Sequence, residues 1–211
     1  TLAVTNNLVI DGASALLETG GGYLKTGNGF LDKTFLEVAA AGYATALPHY
    51  STATSAITCG GNLVLTNGGD LRIFSGPTNI ANGAGALVAV KGDVRIYTGS
   101  WIYPLSNPTN GGSPLFLMQN MIIPVNNAGI NAYQGGYLGG GGTRQNGYGP
   151  GAGGSRGGGG YGGKGGGGFG GGTYGISNAP IDPGSGGGRE DADTGYNYSG
   201  GAGGGLIRLE I

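Results

Sequence analysis

Residues 135 to 205 carry 35 of the 54 glycines in this 211-residue chain, so nearly half of that stretch has no side chain to bury. A tract of this kind cannot build an ordinary hydrophobic core, and a Gly-rich chain without a partner is by default a flexible coil. Two features argue against a linker. The tract is followed by Leu206, Ile207, Arg208, Leu209, Glu210 and Ile211, which read as a terminal strand returning to pair with the first part of the chain. It also holds Tyr137, Tyr148, Tyr161, Phe169, Tyr174, Tyr196 and Tyr198, spaced aromatics that water does not favour.

Glycine falls at every third place from Gly151 to Gly166, but Tyr148 and Phe169 break that register and imino acids are sparse, so a collagen helix is excluded. The remaining conformation is the left-handed, three-per-turn helix of polyglycine, the glycine counterpart of polyproline II, which has no internal hydrogen bonds. Such helices must lie side by side and bond to one another, because a buried backbone group needs a partner. Asn178-Ala179-Pro180, Asp182-Pro183 and Arg189 to Thr194 then read as the loops that join them.

The first 134 residues have a different character. Short β-branched or aromatic runs bounded by Gly, Asn or Pro predict strands at Asn7–Asp11, Phe35–Val38, Asn62–Thr66, Leu71–Phe74, Leu87–Lys91, Val94–Tyr97 and Leu115–Met118. Lys33–Ala46 is the one helix candidate. An internal repeat stands out: Gly69-Asp70-Leu71-Arg72-Ile73-Phe74-Ser75-Gly76 returns as Gly92-Asp93-Val94-Arg95-Ile96-Tyr97-Thr98-Gly99, and a weaker echo links Asn7-Leu8-Val9-Ile10 to Asn62-Leu63-Val64-Leu65. Alternating apolar and polar residues give each copy one buried face. The expected fold is all-β: a parallel β-solenoid-like core at 1–134, a packed polyglycine-II region at 135–205, and a C-terminal strand at 206–211 pairing with the core. In that arrangement Asp70 stacks on Asp93 and Arg72 on Arg95, one coil apart. An antiparallel β-sandwich is the rival fold.

The chain carries 10 Lys+Arg against 11 Asp+Glu, a net charge of -1, which argues against nucleic acid or anionic lipid as partners. No apolar run reaches the roughly 18 residues of a membrane span. The single Cys59 excludes an intrachain disulfide framework. The numbering starts at Thr1 rather than Met, which fits either a processed mature chain or a trimmed one, and export is the expectation.

Groups able to do chemistry are few. His49 and Cys59 read as a loop histidine and a buried thiol rather than a nucleophile pair. Asp70 and Asp93 are the one candidate carboxylate pair for a glycan-active enzyme, although each follows Gly and opens a strand, as a repeated turn residue would. Asp182, Glu190, Asp191 and Asp193 match no calcium-loop spacing, so neither a metal nor a cofactor is expected. Tyr97, Trp101 and Tyr103, with Arg95 nearby, form a candidate aromatic platform for sugar rings, Tyr97 sharing a strand face with Trp101 or Tyr103. Asn197-Tyr198-Ser199 is the single glycosylation sequon.

The series Gly147-Tyr148-Gly149-Pro150-Gly151-Ala152-Gly153-Gly154, Gly160-Tyr161-Gly162-Gly163-Lys164-Gly165-Gly166, Pro183-Gly184-Ser185-Gly186-Gly187-Gly188 and Gly201-Ala202-Gly203-Gly204-Gly205-Leu206 resembles the glycine-rich module of large secreted bacterial surface proteins, and more loosely the polyglycine-II tips of phage tail fibres. The resemblance implies an extracellular, cell-surface or tail-fibre-tip location. The expected function is a non-catalytic structural protein that self-assembles into a filament or surface layer, with the N-terminal strand Leu2 to Asp11 (Leu2, Val4, Leu8, Ile10) as the assembly element. The alternative is an adhesin that binds a cell-surface glycan or protein through Tyr174, Asp182, Arg189, Tyr196 and Tyr198.

Overall fold

A computed structural model of the chain describes residues 2–11, 16–19, 55–78, 83–141, 145–176, 178–190 and 198–211. The predicted Phe35–Val38 strand and Lys33–Ala46 helix lie outside them. Among the described residues the regular structure is all β, with thirteen strands and no helix. The chain divides into two compact units, one formed by Thr1–Leu105, Ser113–Asn131 and Ile207–Ile211, the other by Ser106–Gly112 and Ala132–Leu206.

The first unit contains every strand. They are β1 (Leu2–Val4), β2 (Leu8–Asp11), β3 (Leu16–Thr19), β4 (Ser55–Cys59), β5 (Leu63–Thr66), β6 (Asp70–Phe74), β7 (Ala86–Val90), β8 (Asp93–Ile96), β9 (Trp101–Leu105), β10 (Pro114–Leu117), β11 (Asn120–Ile122), β12 (Gly129–Ile130) and β13 (Arg208–Glu210). Every third strand joins the same sheet, which gives sheet A as β1-β4-β7-β10-β13, sheet B as β11-β8-β5-β2 and sheet C as β12-β9-β6-β3. All pairings are parallel. The chain therefore winds in coils of three short strands, a solenoid-like arrangement in which each strand buries its inner face against the coils on either side.

The strand alternation read from the sequence accounts for this core. Ile57, Val88 and Phe116 form one inward column of sheet A, Leu63 and Val94 one of sheet B, and Leu71 and Ile102 one of sheet C. All seven are buried to 1% exposure or less.

The 23-residue repeat is not the coil. β6 and β8, which carry its two copies, lie in different sheets, so Asp70 does not stack on Asp93 nor Arg72 on Arg95. Asp70 instead pairs in register with Trp101, and Leu63 with Val94. The copies resemble each other because any strand with one buried face converges on the same alternation. The weaker echo marks the real register, as Leu8 pairs Leu63 and Val9 pairs Val64. The expected single strand from Leu2 to Asp11 is also two strands. β1 pairs β4 in sheet A, β2 pairs β5 in sheet B, and the chain turns the corner at Thr5, Asn6 and Asn7.

That corner carries a side-chain ladder. Asn7 Oδ1 accepts the Asn62 N–H at 2.7 Å, Asn62 Oδ1 accepts the Asp93 N–H at 2.8 Å, and Asp93 Oδ1 accepts Asn120 Nδ2 at 2.8 Å. Gly61 and Gly92 lie against Asn7 and Asn62 respectively, where a Cβ would strike the side-chain amide oxygen. The turns from sheet A to sheet B stay two or three residues long (5–7, 60–62, 91–92, 118–119), whereas those from sheet C back to sheet A run over 20–54, 75–85, 106–113 and 131–207. The last of them contains most of the second unit.

Among its described residues the second unit has neither helix nor strand, and its backbone bonds run laterally between glycine-rich segments. Tyr137 and Gly140 donate to Gly184 and Gly187. Gly184, Gly187 and Glu190 donate to Gly204, Gly201 and Tyr198, while Gly203 and Gly200 donate back to Tyr137 and Gly140. Three segments thus close a ring of donors with a bond at every third residue. The 136–141 and 184–190 segments run parallel, and 198–205 runs against both. A Cβ on Gly186 or Gly203 would enter a neighbouring carbonyl, whereas one on Gly201 or Gly204 would meet nothing within 4 Å.

Candidate functional site

On sheet C the outward positions of β6 and β9 come together across the coil: Asp70 beside Trp101, Arg72 beside Tyr103. The inward neighbours Leu71, Ile102, Ile73 and Pro104 are fully buried, so the outward side chains stand on a fixed base. Trp101 pairs Gly129 of the next coil. A Cβ at Gly129 would lie 3.3 Å from the indole, so the ring rests on bare backbone. The Arg72 guanidinium carbon sits 5.3 Å from the centre of the Tyr103 ring, a cation–π contact. Burial pushes the Asp70 carboxyl above the usual carboxylate range, opposed by the Arg72 charge and the Trp101 backbone N–H that it accepts. Burial, then the Asp70 charge, raises the Tyr103 phenol.

Sheet B presents a different constellation. Arg95 Nη2 donates to Asp93 Oδ2 at 2.7 Å while Asn120 holds Oδ1, so both carboxylate oxygens are engaged. These bonds, Asn120's first, hold Asp93 below the usual carboxylate range. Tyr97 follows β8 and its N–H donates to Leu65 of β5, which places it with sheet B. The expected sharing of one strand face between Tyr97 and Trp101 or Tyr103 is therefore wrong: four residues of corner separate β8 from β9. The Asp70 and Asp93 carboxylates, on separate sheets, do not form an acid/base pair.

In the second unit, Tyr174 donates its hydroxyl to the Pro183 carbonyl and stands edge-on to Tyr161, with ring centres 5.0 Å apart. Ser185 Oγ accepts the Gly151 N–H at 2.9 Å. Burial is the largest cause raising Tyr174, to about 12, and it also raises Tyr161, where the Asp182 charge adds to it. Tyr174 and Asp182 are thus brought together around Tyr161. Arg189 and Tyr198 belong to a separate stretch: the Arg189 N–H donates to the Gln145 carbonyl, and the next residue, Glu190, donates to the Tyr198 carbonyl and pairs with Arg156 at 3.7 Å. An open groove of about 830 Å³ runs between the 157–161 and 198–204 segments, with Tyr198 at one end, 62% exposed.

Tyr196, Asp191, Asp193, Asn197 and His49 lie outside the described residues. Cys59 is buried, its Sγ 3.1 Å from the Asn6 carbonyl. Among the described residues no group of three His, Cys, Asp or Glu is placed to hold a metal ion. No helix among them is long and apolar enough to cross a membrane. The union of Asp70 and Arg72 with Trp101 and Tyr103 was not legible in the sequence: the paired residues stand 31 positions apart, whereas the repeat spaces its copies by 23 and the Asn7/Asn62 echo by 55. No family model matches the chain, nor does any curated protein or solved structure.

Proposed function

We propose that this chain is a non-catalytic extracellular structural protein that self-assembles through the strand edges of its solenoid. The observation that carries this reading is the order of sheet A, in which, among the described strands, β1 and β13 each have one neighbour. Each offers a row of backbone donors and acceptors to a strand of matching direction. An apolar groove of about 620 Å³ on the same sheet, lined by Ala3, Thr58, Ala89 and Leu117 among others, adds a largely uncharged flank. The glycine-rich unit is read as a bundle of polyglycine-II helices, supported by its three-residue bond spacing. The extracellular location rests on the resemblance of that unit to secreted surface modules. The test is electron microscopy of the purified chain at neutral pH, beside Leu209→Pro, which removes an edge donor. Ordered polymers lost in the variant support assembly; dispersed single particles at every concentration refute it.

A second reading, adhesion, is favoured by Phe169, Ile176, Ile181 and Tyr198, all more than half exposed at bends between glycine segments. Replacing Ile176 and Ile181 together by Ser would then lower binding to target cells without altering particle form.

A further inference from the structure

We propose that the outward face of sheet C is a binding platform for an uncharged polysaccharide, with Trp101 as the stacking surface and Asp70, Arg72 and Tyr103 as its polar rim. The inference uses the first unit alone and is independent of assembly. A pyranose ring with equatorial hydroxyls has an apolar C–H face and a hydrogen-bonding edge, and its complement is a flat aromatic ring bordered by planar polar groups. Sheet C supplies both.

Glycine at position 129 leaves the indole room against the neighbouring coil, and Trp101 stays partly exposed there. Beside it, Asp70 offers carboxylate oxygens, while Arg72 is steered by its contact with the Tyr103 ring. Since β9 is paired on both sides, by β6 and β12, the platform is pre-organised and loses little freedom on binding.

The charges decide against other ligands. Asp70 sets one carboxylate beside the Arg72 guanidinium, and Glu18 of β3 pairs in register with Arg72, so the face has no net attraction for phosphate and a nucleic acid finds no electrostatic footing. A sheet face holds a single ring weakly. Affinity accumulates when a polymer brings a second sugar to Tyr103 as the first meets Trp101, their side chains about 7 Å apart along the strand.

Trp101 is the only tryptophan in the chain, so its fluorescence reports on this face and no other. The experiment titrates the full chain with a soluble β-glucan, with a chitin oligosaccharide and with the polyanion heparin, following tryptophan emission and mobility in polysaccharide-containing native gels. The expected result is a saturable emission change and gel retardation with at least one of the uncharged ligands and none with heparin. Trp101→Ala and Asp70→Asn, each with an unchanged circular dichroism spectrum, should weaken retardation about tenfold, while Tyr97→Ala on sheet B leaves it intact. Failure of both uncharged ligands to move emission or mobility would overturn the proposal. So would tighter binding of heparin, or retardation that survives both Trp101→Ala and Asp70→Asn.

Discussion

Asn62 holds the backbone of Asp93: its side-chain oxygen accepts the Asp93 N–H at 2.8 Å, one coil further along the chain, while its own N–H is held by Asn7. The ladder fixes the register of sheet B at a corner too short to be fixed by turn chemistry alone. Asn62→Ala removes the acceptor and leaves a part-buried N–H unmet, a loss of about 1–3 kcal/mol. Urea denaturation should show a lower midpoint with an unchanged slope. Asn120→Ala, at the exposed end of the ladder, should cost less.

Glycine in the second unit is required at some positions and incidental at others. Gly186→Ala drives a methyl group into the Leu138 carbonyl, and the strain should cost about 1–3 kcal/mol. Gly204→Ala points into open space and should stay within about 0.5 kcal/mol of the parent. Amide exchange in 136–141 and 198–205 separates the two, since only the first variant should accelerate it.

The two repeat aspartates should titrate on opposite sides of 3.8. Asp93, held low by Asn120 and Arg95, contributes stability above its unfolded pKa, which is lost as the pH falls through its lower folded value. Asp70, raised by burial, works in reverse: stability falls as the pH rises from 3.8 to its higher folded value and then levels off. Carboxyl NMR titration should resolve the order, and Asp93→Asn should be the more destabilising change at neutral pH.

Tyr174 should ionise near pH 12, as absorbance of the phenolate would show. Between the ordinary tyrosine value of 10.0 and that point the unfolded chain releases a proton the folded chain keeps, so stability falls as the pH rises. Tyr174→Phe abolishes this contribution and should flatten the alkaline arm of the unfolding profile.

Periodicity made the all-β, parallel character legible, and the observed β2, β5, β6, β7, β8 and β10 fall on runs that the alternation marks. β9 escaped because Pro104 sits within it; in this fold that residue faces inward and is fully buried. β4, with Ser, Ala and Thr, has too little apolar contrast to announce a strand. For the site, Trp101 and Tyr103 follow from two-residue spacing along one strand. Asp70 and Arg72 join them only through the coil length, and the strongest repeat in the sequence gives the wrong one.

The connections from sheet C to sheet A also bear on how such a chain can change. The 75–85 connection is closed at its base by Gly76 N–H bonded to the Gly85 carbonyl, which holds the flanking strands in place whatever the length between them. New sequence inserted there meets no register constraint, whereas one residue added at 91–92 would throw every outward side chain of the next strand inward. Variation in length, whether by descent or by grafting a foreign peptide for display, should therefore gather along one edge of the coils and leave the other two corners unchanged.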